Sequence, residues 1–227
     1  MSCLIVVAHP DDEVLGAGAT IYNLIKSGKE VNVCILSGDV LARRHRPETG
    51  ELNDNIDGCM KQLGIKNYMA GNFPNIAMNT VPHLELVEFI ETAIIETSAD
   101  MIITHHPADL NNDHLNVSLA CQAAARVFQR RENIPPLLDL LFMEVPSATE
   151  WGLNASLSPF TPNTFVEVFA DGINKKIEAL SEYKGVMRDY PHPRSEEAIR
   201  ALAAYRGGQA GVMYAEAFQS VYRLYKY

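Results

Sequence analysis

No apolar run in this 227-residue chain approaches the ~20 residues needed to span a bilayer. The amino terminus also lacks the basic region and apolar core of a secretory signal. A cytoplasmic protein that does not insert into a membrane is expected. Basic residues are in deficit: 19 Lys and Arg against 28 Asp and Glu give a formal charge of −9. That argues against a nucleic-acid partner, because phosphate backbones are held by clustered cations. CxxC pairs are missing as well. The four cysteines, Cys3, Cys34, Cys59 and Cys121, stand far apart in apolar surroundings and read as small core residues in a reducing compartment. No G-x-G-x-x-G follows the first apolar run. Gly16 and Gly18 instead fall inside a predicted helix, where they would let it lie close to a sheet, so a dinucleotide role is weak. Internal repeats and low-complexity linkers are absent too. What remains is a chain that is 47% apolar and 21% charged, enough for one sizeable core and one domain over 1–227.

The chain opens on Cys3-Leu4-Ile5-Val6-Val7, a continuous apolar run that reads as a buried parallel strand. It stops abruptly at His9-Pro10-Asp11-Asp12-Glu13, before an apolar-periodic helix over 14–26. A polar cluster at the carboxyl end of a strand sits where open α/β sheets bind ligands. An acidic N-cap at Asp11 or Asp12, with Glu13 favourably placed against the helix dipole, is the plainer alternative. Gly28 follows the helix as a stop, and an alternating strand over 30–36 completes a β-α-β start. Further strands are predicted over 67–70, 100–104, 137–143 and 163–169, and helices over 52–63, 83–97, 115–130, 172–183 and 196–205. The stretch 206–211, rich in glycine, reads as flexible, and 213–227 as a last helical turn and a strand.

The strand over 100–104 ends in a second cluster, His105-His106-Pro107-Ala108-Asp109-Leu110-Asn111-Asn112-Asp113-His114. In a doubly wound sheet two such strand ends can meet although about a hundred residues separate them. His9, Asp12 and His114 then supply two imidazoles and one carboxylate, the ligand set of a catalytic rather than a structural zinc. Asp113 is the candidate to orient an imidazole. Three other stretches bear on the same crevice. The basic loop 43–46 could clamp a phosphate or carboxylate through Arg43, although a solvated loop is the commoner reading. Glu150 and the only tryptophan, Trp151, lie on a polar tail after the strand over 137–143. His192 and Arg194 are held between prolines ahead of Ser195, a predicted N-cap.

With both clusters in hand the chain resembles the PIG-L/LmbE-like family of metal-dependent N-acetylglucosaminide deacetylases. Ala8-His9-Pro10-Asp11-Asp12-Glu13 matches its first signature, and His106-Pro107 with Asp109, Asp113 and His114 matches its second. Arg206, Gln209, Gly211, Ala215, Glu216 and Phe218 are similar to its carboxyl-terminal pattern. Val145-Pro146-Ser147 with Thr149-Glu150-Trp151, and Pro191-His192-Pro193-Arg194-Ser195, look like a branch found among bacterial cell-surface polysaccharide genes.

The resemblance implies a Rossmann-like three-layer α/β sandwich with a mostly parallel sheet, and hydrolysis of the acetamide of an N-acetylated sugar or nucleotide-sugar. It implies zinc, or another divalent metal such as Fe2+, on His9, Asp12 and His114. Asp11 would be the general base and Asp113 the support of an active-site histidine. Self-association into a homo-oligomer is also expected. Relatives place a histidine where this chain has Asn111. Its proton-donating work is assigned here to His192, with His106 second, and Asn111, Arg43, Arg194 and Glu150 are the candidate substrate contacts. The stretch 75–79 is neutral where the branch carries charges. That neutrality and Asn111 motivate the alternative of a metal-containing sugar-binding protein weakened in catalysis, and the retained Asp11 argues against it.

Overall fold

The structure is a computed structural model describing residues 2–38, 49–153 and 158–226. Its elements, in chain order, are β1 (Ser2–Val7), α1 (Asp12–Lys26), β2 (Glu30–Ile35), α2 (Thr49–Leu63), β3 (Tyr68–Ala70), α3 (His83–Thr97), β4 (Met101–His105), α4 (Asn112–Ala124), β5 (Asp139–Met143), β6 (Thr164–Glu167), α5 (Phe169–Glu182), α6 (Glu196–Ala210) and β7 (Ala215–Arg223). A strand that is apolar on both faces is stable only in a sheet covered on both sides, and β1 is such a strand. Cys3, Ile5 and Val7 face a core shared with α1, α2 and α5, whereas Leu4 and Val6 face a second core shared with α3 and α4. Three layers follow from that alternation.

The seven strands run in the order β3-β2-β1-β4-β5-β7-β6. β1 pairs in parallel with β2 and β4, β2 with β3, and β4 with β5, while β7 runs antiparallel between β5 and β6. The chain moves outward from β1 to β3, then returns to lay β4 on the other side of β1. The carboxyl ends of β1 and β4 thus flank the point where strand order reverses, and the connections there must diverge and leave a crevice. Gly16 lets α1 lie against the sheet: a Cβ there would come within 2.3 Å of the Met143 Sδ on β5. All four cysteines are buried and free. Among the described residues no helix is long and apolar enough to cross a membrane.

The carboxyl-terminal third departs from expectation. The 206–211 stretch is not a flexible link: α6 continues through Gly207 and Gly208 to Ala210. Gly207 is buried, and a Cβ there would sit 2.7 Å from the carbonyl oxygens of Val212 and Met213. The glycine is used for close backbone approach rather than for mobility, and Gly211 at φ 75° ends the helix. Residues 215–223 form a full strand, with no helical turn described before it. The helix expected over 115–130 begins at Asn112 and stops at Ala124, and a turn of 3₁₀ helix at Val127–Gln129 then buries Val127 in the second core.

Candidate active site

His9 leaves β1, and two residues later the chain turns sharply at Asp11, whose φ of 111° lies in the left-handed region. That turn starts α1 at Asp12, and the Asp12 Oδ2 accepts the His9 N–H at 3.0 Å. Across the reversal point Asn111 caps α4, its Oδ1 accepting the Asp113 N–H at 2.9 Å. The cap places Asp113 and His114 in a buried first helical turn. Local capping chemistry therefore fixes both halves of the cluster.

The two halves meet. The His9 Nδ1 lies 3.3 Å, and the His114 Nε2 3.2 Å, from the same Asp12 Oδ2. Donor atoms of His9, Asp12 and His114 all fall within 4.8 Å of one another. The outer nitrogen of each imidazole faces a second carboxylate. Asp113 Oδ2 is 2.9 Å from His9 Nε2, and Asp109 Oδ2 is 3.1 Å from His114 Nδ1. Asp113 thus supports His9 rather than its neighbour His114, and it also accepts the N–H groups of Ile76 at 2.5 Å and Met78 at 3.0 Å. Asp109 accepts Thr149 Oγ1 at 2.7 Å and the Asn111 N–H at 2.8 Å.

Charge follows contact. Burial alone would keep His114 neutral, but the Asp12 and Asp109 carboxylates overcome it and push the imidazole up to about 10. Burial disfavours the charged Asp12, yet the His114 and His9 imidazoles hold it well below the usual carboxylate range. His9 is likewise raised against its burial by Asp113 and Asp12. His105 stacks on His114 with ring centroids 3.9 Å apart, and its Nε2 accepts the Ala8 N–H. Burial first, then the neighbouring His114, lowers it to about 3, so it stays neutral.

The donor set suits a divalent cation. It offers two imidazoles and a carboxylate, and among the described residues the two buried ring nitrogens of His114 face only carboxylates, Asp12 at 3.2 Å and Asp109 at 3.1 Å. Carboxylate hydrogen-bonding of the far imidazole nitrogen is the usual support for a histidine ligand.

The cluster floors a cleft of about 500 Å³ lined by His9, Asp11, Asp12, His114, Asn111 and Arg194 among others. Arg194 bridges two lining residues: its Nη1 donates to Asp11 Oδ2 at 3.1 Å and its Nε to Ser147 Oγ at 2.7 Å. Two other sequence candidates are used elsewhere. The His192 Nδ1 accepts the Arg194 N–H at 3.0 Å, and this imidazole, lowered by burial and then by Arg194 and Arg188, is not in the cleft lining. The Glu150 oxygens accept the N–H groups of Ser147 and Ala148 at 2.6 and 3.1 Å, which ties up the turn carrying Ser147. His106 is buried edge-on to Phe142 and Phe160. Arg43 lies outside the described residues.

Sequence reasoning misses three contributors. Asp109 stands in the second signature without an assigned role. His105 is one of several histidines in a run. Glu13 reads as a helix-terminal charge set against the dipole, yet it is fully buried beneath Asp11. Burial raises its carboxyl to about 7, with the Tyr183 hydroxyl opposing in part.

Residues 4–125 match the family model PIG-L, described as GlcNAc-PI de-N-acetylase. The matched segment spans both halves of the cluster. The chain belongs to the PIG-L family. Among PIG-L relatives, the uncharacterized deacetylase YaiS of Escherichia coli K12 is 30% identical over 194 residues, covering 80% of this chain and 89% of YaiS. Among solved structures, the N,N'-diacetylchitobiose deacetylase of Pyrococcus horikoshii aligns with a TM-score of 0.77 at 18% identity, over 97% of this chain and 83% of that one. The 4-carboxy-2-hydroxymuconate hydratase of Pseudomonas putida KT2440 aligns at 0.80 and 20%, over 100% and 98%. At these identities the likeness to the solved structures is one of fold.

Proposed function

We propose that this PIG-L protein is a metal-dependent N-deacetylase that hydrolyses the acetamide of an N-acetylated sugar or nucleotide-sugar to the amine and acetate. The observation that carries the reading is the convergence of His9, Asp12 and His114 within 4.8 Å, beside a further carboxylate, Asp11, in one cleft. His9, Asp12 and His114 would hold a divalent cation, zinc foremost and ferrous iron next, which would supply Lewis acidity for the acetamide carbonyl and the attacking water. Asp11 takes the proton of that water as attack begins. Once protonated, it delivers the proton to the departing nitrogen, because an amide needs a charged or protonated leaving group near neutral pH. His192 is outside the cleft lining, so this work falls to Asp11 itself. Arg194 directs donors toward the developing oxyanion from its seat on Asp11 and Ser147. Asp113 and Asp109 hold the two imidazoles in the tautomers that leave the inner nitrogens free for the cation. Asn111, Asn75, Ile76 and Leu110 line the space left for the sugar.

The test is acetate release by zinc-loaded protein from N-acetylglucosamine, N,N'-diacetylchitobiose and UDP-N-acetylglucosamine, with Asp11→Asn as control. Acetate from the wild type and at most a trace from a control that still binds zinc is the expected result. A protein that binds zinc and sugar stoichiometrically but releases no acetate is a binding protein, the reading that Asn111 and the neutral stretch 75–79 motivate.

A further inference from the structure

Beneath the cleft, Glu13 makes contacts that the reaction itself does not use. Its carboxylate is fully buried and absent from the cleft lining. Oε2 accepts the Asp11 N–H at 3.1 Å. Oε1 accepts the Tyr183 hydroxyl at 2.6 Å, from the end of α5, and Cys59 Sγ lies 3.6 Å away on α2. Three helices thus converge on one carboxylate, and that carboxylate grips the peptide of the proposed base.

We propose that Glu13 is a positioning residue: held by Tyr183 and Cys59, it fixes the Asp11 peptide in the left-handed conformation that turns the Asp11 side chain into the cleft. The inference rests on the deacetylase reading, which gives the direction of Asp11 its importance. An L-residue at φ 111° has no local reason to stay there, since the extended and right-handed regions are lower in energy. Something must over-determine it. The Asp11 carbonyl is tied by the Val14 and Leu15 N–H groups at 3.1 and 2.9 Å, and Glu13 ties its N–H, so both ends of the residue are clamped to the first turn of α1. A well-packed apolar side chain would serve stability at least as well as a buried carboxyl. What it could not do is accept the Asp11 N–H.

The test uses zinc-loaded full-length protein and the best acetyl donor of the panel. Glu13→Met fills the space without an acceptor. It is expected to lower kcat by about 100-fold, the scale of an ångström misplacement at a reacting group, with KM and zinc affinity unchanged. Glu13→Gln keeps an acceptor and restores most of that loss. In the Asp11→Asn background, where residual turnover is followed over long incubations, Glu13→Met costs nothing further. In its crystals the Asp11 φ leaves the left-handed region. Should Glu13→Met fail to fold, Tyr183→Phe removes only the hydroxyl and gives a smaller loss of kcat that likewise vanishes in Asp11→Asn. Wild-type turnover in folded Glu13→Met, equal losses in both backgrounds, or an unchanged Asp11 φ each overturns the proposal. A wild type that releases no acetate overturns the deacetylase reading instead, and the Asp11 φ in Glu13→Met crystals then decides the role of Glu13 without any turnover.

Discussion

Replacing Glu13 with Gln changes how stability depends on pH, and the structure fixes both the sign and the window. Burial raises the Glu13 carboxyl from 4.5 to about 7, against the opposing Tyr183 hydrogen bond. Below pH 4.5 the group is protonated in both folded and unfolded chains and contributes no pH dependence. Between 4.5 and 7 the unfolded chain gives up the proton while the folded one keeps it, so the unfolded state is favoured progressively. Above 7 both forms are ionised and the loss is complete. A tenfold difference in proton affinity between the two states is worth about 1.4 kcal/mol, so the raised carboxyl removes roughly 3 kcal/mol of stability across this window. Gln does not titrate and escapes the loss.

The free-energy difference between Glu13→Gln and wild type is therefore expected to rise in favour of the variant by about 3 kcal/mol from pH 4.5 to 7.5. In a chain of this size that is a relative gain of roughly 6–12 °C in Tm. Urea unfolding of both proteins in chelator, at successive pH values across the window, measures it and cancels contributions from the metal ligands. A difference that stays flat across the window refutes the reasoning, for it would mean that Glu13 ionises as an exposed carboxylate does. A difference falling with pH would mean that Tyr183 and the Asp11 N–H outweigh burial.

Asp113→Ala removes the carboxylate 2.9 Å from His9 Nε2 and is expected to weaken zinc binding about 10–100-fold by calorimetry; unchanged affinity would dismiss Asp113 as the support of His9. Without metal, the Asp12 and Asp109 carboxylates push His114 up to about 10 against its burial, so zinc entering at about pH 7.5 displaces at least the His114 proton and affinity rises with pH. Calorimetry in buffers of different ionisation enthalpy reads that proton, and heats independent of buffer contradict the Asp12–His114 ion pair. Arg194→Ala, which empties the seat between Asp11 and Ser147, is expected to lower kcat/KM on the order of 100-fold, and a variant as active as wild type removes Arg194 from the reaction. Gly207→Ala drives a Cβ to 2.7 Å from two carbonyl oxygens and is expected to cost about 1–3 kcal/mol in urea unfolding; a neutral substitution would mean the α6–β7 corner yields freely.

The layer order and the cluster at its reversal point were legible in the chain because their signals are local. Apolar runs of strand length, each broken by His and Asp ahead of a helical period, give β1 and β4, and parallel sheets bring such ends together by topology. His9, Asp12 and His114 could be named from that pattern alone. The direction of side-chain support could not. Asp113 is adjacent to His114 in sequence yet holds His9, because the first turn of α4 points its side chain toward β1, while His114 leans on Asp109, five residues earlier. The stiff proline setting of His192 marks it out in the sequence. The turn aims Arg194 rather than His192 at Asp11, a matter of backbone direction that proline spacing does not encode.

Glu13 is the hardest to see. Glutamate in a first helical turn is ordinarily exposed and favourable to the dipole, and only the convergence of α1, α2 and α5 buries this one. Gly207 fails the same way, since a glycine used for mobility and one used for close approach are identical until the returning strand is laid against it. Periodicity and motif spacing act within one element and are readable along the chain. Burial and partner choice belong to contacts between residues far apart in sequence, and they exist only once the layers have packed.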